Sequence, residues 1–169
     1  MPRSYSWIEH GTSESGAQGI DGAWVARAGF ILFGLAVVWL TGLRYRSWGT
    51  VGTALHITFG VSMFGVAAFS TRPWDDASRY VPSEDLLHSV FATTMGIAFI
   101  GGVVAVMIAR QLPDIRAAFP DIAVIMIASV IPLTTSTDIW GLLQRIMFLT
   151  AAAWYARELR IRHRNPRLR

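Results

Sequence analysis

The sequence predicts an all-α protein: a polytopic membrane helix bundle with five transmembrane helices. Three observations lead there. Apolar residues make up 53% of the 169-residue chain against 15% charged, with a mean hydropathy of +0.42, whereas soluble domains carry about a quarter charged residues. The apolar residues gather into five long runs, and a bilayer core ~30 Å thick needs about 20 helical residues to cross it. Those runs also lack the polar face of period 3.6 that a helix on a soluble core would show.

Residues 1–22 are polar and precede the first run, so they do not read as a cleaved signal peptide. Residues 23–43 form the first predicted helix, with Arg27 as its single charge. Residues 49–69 and 86–109 hold no Asp, Glu, Lys or Arg and form the second and third. The fourth covers 120–137. Pro120 suits a first helical position, Asp121 suits the positive end of the helix dipole, and Pro132 is set to kink the segment. The fifth covers 139–156 and contains Arg145; residues 157–169 form an Arg-rich tail. Trp24, Trp39, Tyr45, Trp48, Trp74, Trp140, Trp154 and Tyr155 lie near segment ends, where amphipathic rings favour the membrane interface.

All 15 basic residues are Arg, and Cys is absent. The missing Cys excludes a disulfide scaffold and a thiolate metal site. If the helices alternate in direction, ten Arg fall on the side of the C-terminus with Asp114, Asp121 and Glu158, a charge of +7. The other side has five Arg against eight carboxylates, a charge of −3. Positive loops stay in the cytoplasm. The expected location is therefore a cell inner membrane, N-terminus extracytoplasmic and C-terminus cytoplasmic. The pI of about 10.3 then reports orientation, and no nucleic-acid partner is expected. The Arg tail has no aromatic residue after Tyr155 for stacking on bases; anionic membrane lipids are its expected contact.

Several stretches resemble the bacterial membrane proteins grouped as domain of unknown function 998. Ser13-Glu14-Ser15-Gly16-Ala17-Gln18-Gly19 is similar to that family's Ser-Glu-Leu-Gly loop, with Ser15 in place of Leu. Phe69–Asp76 resembles its loop ending in Pro and Asp, and His88 the His that opens its next helix. Gly141-Leu142-Leu143-Gln144-Arg145 resembles its Gly-Leu-x-Gln-Arg helix entry. The resemblance covers about Tyr5 to Ala156 and implies a pattern of six helices, of which this chain would lack the first.

The candidate site is a polar cluster on the outer face: Glu14, Asp75, His88, Gln144 and Arg145. Glu84 and His88 are four apart and can share a helix face, while Ser83 reads as a cap with Glu84 and Asp85 in the first turn. Arg145 near a helix end can snorkel, pair with Asp138, Glu14 or Asp75, or contact an anion or headgroup. Gly52, His56 and Gly60 form one stripe, and His88, Ala92 and Gly96 another; such small-residue stripes allow close helix approach. His56 and His88 sit at different depths, too far apart for one haem iron. No metal-ligand spacing, nucleophile elbow or phosphate loop occurs, so no cofactor or metal is expected. The sequence reads first as a small structural, lipid-contacting or partner-binding membrane protein. A membrane-embedded enzyme or lipid-headgroup binder with its site on the outer face is the alternative, and a transporter a weaker one. Membrane lipids are the expected partners, with a membrane-protein partner possible.

Overall fold

The computed structural model describes residues 5–74, 79–111, 114–134 and 138–164. A 3-10 turn at Glu14–Gly16 precedes α1 (Ala23–Ala68) and α2 (Pro82–Ala109). Then come α3 (Ile115–Val130), a second 3-10 turn at Ile131–Thr134, and α4 (Trp140–Arg164). No strand occurs among the described residues. The class is all-α, but five separate transmembrane helices are not what the elements amount to. Among the described residues, α1 and α2 are the two long and apolar enough to cross a membrane. α3 has 16 residues, about 24 Å at 1.5 Å per residue, and falls short of a bilayer core. α4 has 25 residues but brings Gln144, Arg145, Arg157 and Glu158 into its length.

The expected loop after residue 43 does not exist. α1 stays helical through Arg44–Trp48, and its only non-helical residue is Gly49, at φ 67° and ψ 172°. That conformation is open essentially to glycine alone. The helix doubles back there. A Cβ on Gly34 would stand 2.8 Å from the Gly60 carbonyl oxygen, although a straight helix would separate those residues by about 39 Å. The two arms, 23–48 and 50–68, therefore run antiparallel, and Phe33 meets Phe59 with ring centroids 5.8 Å apart.

α2 runs antiparallel to the second arm. Gly65 faces Phe91, Phe59 faces Phe99, Gly102 faces His56 and Gly52 faces Val106. The stripe expected from Gly52, His56 and Gly60 thus divides between two neighbours: Gly52 and His56 meet α2, and Gly60 meets Val38 of the first arm. α4 lies parallel to the first arm, with Phe30 near Phe148 and Arg44 near Glu158. The bundle consequently has two ends. Residues 5–20, 69–74 and the starts of α2 and α4 share the loop end. Arg44, Arg110 and Arg157 share the arginine end.

Helix boundaries also differ from those expected. α3 starts at Ile115, capped by Asp114, whose carboxylate accepts from Ala117 N at 2.8 Å. Pro120 is therefore inside the helix, where it removes one backbone hydrogen bond. Asp121 is buried in the bundle instead of sitting in a first turn. α2 begins at Pro82, and its N-cap is Val81, so Ser83 is not a cap. After Val130 the chain tightens into the 3-10 turn containing Pro132.

The core joins Trp48, Phe59, Met63, Phe99, Val103 and Trp154. Trp48, Trp154 and Tyr155 are buried in it, contrary to the interfacial placement expected, while Trp24, Trp39 and Tyr45 are exposed. The outward surface is apolar, with Leu32, Ile97, Ile108, Ile115 and Leu149 all about two-thirds exposed or more.

Candidate functional site

The loop end is assembled by backbone carbonyls and the polar side chains that grip them. Gly141 is pressed against the His10 and Trp7 carbonyls, so closely that a Cβ there would overlap them. Gly141 N donates to Glu9 O and Leu142 N to Ile8 O. These are amides of the first turn of α4, which have no partner within the helix. Arg145 completes the clamp. Its Nη1 donates to Trp7 O at 2.8 Å, His10 O at 3.0 Å and Gly141 O at 2.8 Å, and its Nη2 to the Tyr5 hydroxyl at 2.6 Å. Gln144 Oε1 accepts from Thr12 N, and Glu14 Oε2 from Gly11 N. Tyr5, His10 and Trp74 pack ring to ring, at 5.1–5.5 Å between centroids.

A second seam lies beside it. Gln18 donates through Nε2 to Ser70 O and Val81 O, and its Oε1 accepts from Val81 N. Gln18 N donates to Thr71 O. Asp85 Oδ1 accepts from Thr71 Oγ1 and Arg72 N, and Glu84 Oε2 from Ser70 N. His88 Nδ1 lies 2.8 Å from Phe69 O.

Of the five predicted residues, Glu14, Gln144 and Arg145 come together. His88 belongs to the second seam, bonded to Phe69 O rather than to Glu84. Asp75 lies outside the described residues. Arg145 forms no ion pair among the described residues; main-chain carbonyls and a phenol replace the expected carboxylate. Within the described residues, the four sequence stretches that carry the family resemblance thus all lie at this end.

Beneath the loop end is a cavity of about 500 Å³ between the second arm of α1, α2, the α3 end and α4. Ser13, Trp140 and Gln144 stand at its loop end, and Met95, Phe99 and Phe148 help wall its depth. Gly96 also lines it, and a Cβ there would meet nothing within 4 Å. The expected stripe of His88, Ala92 and Gly96 therefore leaves room instead of admitting a helix. Apart from Ser13, Thr93, Ser129, Trp140 and Gln144, the lining is apolar, and none of it is charged.

At the arginine end lies a cluster that sequence reasoning missed. Glu158 and Asp121 are fully buried. Glu158 Oε2 accepts from Trp48 Nε1 at 2.9 Å, pairs with Arg110 and lies 3.6 Å from Arg44. Asp121 Oδ1 accepts from Trp154 Nε1 at 2.8 Å and from Arg157 at 2.6 Å. His56 Nδ1 meets the Tyr155 hydroxyl at 2.9 Å, and its ring stacks on Trp154 at 5.0 Å. The available signal was the presence of two acidic residues among the Arg of one side. This network ties α1, α2, α3 and α4 together. Three guanidinium groups share two carboxylates, which is what makes burying either sign tolerable. No group of three His, Cys, Asp or Glu capable of holding a metal gathers among the described residues.

This architecture defines an all-helical protein with two membrane-capable helices, a polar docked end and an apolar cavity beneath it. A family model described as Protein of unknown function (DUF998) matches residues 1–157, and the chain belongs to that family. No curated protein and no solved structure matches it.

Proposed function

We propose that this chain is a multi-pass inner-membrane protein that holds an amphiphilic molecule, a lipid or a lipid-like compound, in the cavity beneath its loop end. The observation that carries the reading is the cavity itself. Its volume of about 500 Å³ lies in the range of small-molecule sites, and its walls are mostly apolar, with Ser13, Trp140 and Gln144 gathered at one end. An amphiphile has that same division. The apolar surface of α1 and α2 supports membrane residence, because long runs of exposed Ile, Leu and Val suit lipid contact and not water.

Five segments cross the membrane in this reading: the two arms of α1, then α2, α3 with its 3-10 extension, and α4. The alternation of direction along the bundle supports it, as does the gathering of Arg44, Arg110 and Arg157 at one end. The loop end is then extracytoplasmic and the arginine end cytoplasmic. Binding is favoured over catalysis because Glu14, His88 and Arg145 each engage the backbone.

Native mass spectrometry of the protein purified in a mild neutral detergent tests the reading. A co-purified amphiphile retained at one copy per chain is expected. Its absence, together with failure to bind any added lipid, would overturn the reading.

A further inference from the structure

We infer that the cavity selects an uncharged lipid whose polar end carries acceptor oxygens, such as the ester carbonyls and hydroxyl of a diacylglycerol, over an anionic phospholipid. The inference rests on the amphiphile reading above and names its ligand class. Three observations point to it. First, no charged side chain lines the cavity. Second, the nearest guanidinium on α4, Arg145, does not line the cavity and is turned onto the chain: Nη1 faces three carbonyls and Nη2 the Tyr5 hydroxyl. Its Nη1–Nη2 pair is therefore already committed to the chain and is not open for a bidentate grip on phosphate, the geometry that makes Arg a phosphate binder. Glu14 sits close by, with Oε2 3.4 Å and Gln144 Oε1 2.8 Å from the position a Cβ would take on Gly11. A phosphodiester at the cavity mouth would lose its water beside a carboxylate, with no cation offered in return.

Third, the mouth offers neutral donors. Gln144 uses Oε1 for Thr12 N, and no described residue accepts from its amide N–H groups. The Trp140 indole N–H likewise donates to no described residue. Two neutral donors at the polar end of an apolar chamber match ester and hydroxyl oxygens. Along α2 the lining runs from Ala92 to Ile100, a depth of about 12 Å, so the acyl portion enters only in part and the rest lies in the bilayer.

The test titrates the full chain, in neutral detergent, with dioleoylglycerol and separately with dioleoylphosphatidylglycerol, read by native mass spectrometry. Dioleoylglycerol is expected to bind at one copy, at least about tenfold more tightly than the anionic lipid. Gly96→Leu should abolish that binding by filling the cavity. Ala92→Leu, on the same wall, serves the same purpose should Gly96→Leu not fold. Trp140→Phe removes one donor and keeps the ring, and should weaken dioleoylglycerol about two- to tenfold, the range of one hydrogen bond. If the anionic lipid binds as tightly and is displaced by the cavity substitutions, the inference falls and the amphiphile site stands. If dioleoylglycerol binds but neither cavity substitution affects it, the inference also falls. If neither lipid binds, the amphiphile reading falls and takes the inference with it.

Discussion

Arg145 was expected to seek a carboxylate or an anion, and it bonds main-chain carbonyls and a phenol instead. The reason is geometric. A planar guanidinium offers five donors in a fixed fork, and the turn formed by residues 7–10 presents two carbonyls within its reach. Lysine could not replace it, because one ammonium cannot span the Tyr5 hydroxyl and three carbonyls at once. Arg145→Ala should therefore free residues 5–17 from the start of α4. Hydrogen bonds to a charged donor contribute about 1.5–3 kcal/mol each when buried, less at a half-exposed site. A local destabilisation of about 2 kcal/mol is a fair scale for the loss of the clamp. Hydrogen–deuterium exchange over residues 5–17 should rise strongly in Arg145→Ala and less in Arg145→Lys, with α2 unchanged. Equal protection in the variant and the parent would mean that the packing of Gly141 and the Tyr5–His10–Trp74 rings holds the loop without Arg145.

The element scale turns on Gly49. The two arms of α1 pack directly because one residue reverses the chain, with no connecting loop. Gly49→Ala should destabilise the bundle. A Cβ there would find only Ala109 at an ordinary 3.6 Å, so the penalty comes from the backbone conformation, about 1–3 kcal/mol. Gly42 is a suitable control: it lies within the first arm, a Cβ there meets nothing within 4 Å, and alanine favours the helix by up to about 1 kcal/mol. Thermal unfolding in detergent, followed by Trp fluorescence, should show a lower midpoint for Gly49→Ala and an unchanged or higher one for Gly42→Ala. Equal midpoints would show that the turn is not strained for alanine. The same residue explains part of what the sequence hid. The apolar runs revealed where helices lie, since residues 23–43 and 86–109 fall inside α1 and α2, and 49–69 overruns α1 by Phe69 alone. The run Arg44-Tyr45-Arg46-Ser47-Trp48 read as a loop because of its charges, yet Arg44 stays in the helix by facing Glu158. Such pairing depends on residues more than a hundred positions away and has no local signature. The candidate site was legible to the extent that Gln144 and Arg145 were marked by a helix-entry motif and Glu14 by a loop motif. His88 stands in the second seam because its partner is the Phe69 carbonyl, a group that every residue carries.

For the whole molecule, apolar side chains face outward as well as inward. Ile97, Ile108 and Leu149 face outward while Glu158, Asp121 and His56 are fully buried. The buried carboxylates sit at one end, among the Arg residues whose surplus gives the two sides of the chain their unequal charge. That asymmetry leads to the orientation prediction. With Arg44, Arg46, Arg110, Arg116, Arg157 and Arg160 on one side, insertion with that side in the cytoplasm satisfies the positive-inside bias. The ion pairs of Arg44, Arg110 and Arg157 do not cancel it, because two carboxylates face three Arg there, and the bias follows the number of Lys and Arg, not the net charge. A green fluorescent protein fused after Arg169 should fluoresce, and alkaline phosphatase fused at the same point should be inactive. Phosphatase fused instead within residues 70–74, between α1 and α2 at the loop end, should be active. The opposite pattern at both positions would invert the protein in the membrane and place the cavity mouth at Trp140 and Gln144 on the cytoplasmic side. Activity of the same reporter at both positions would overturn the alternating path of the five segments itself.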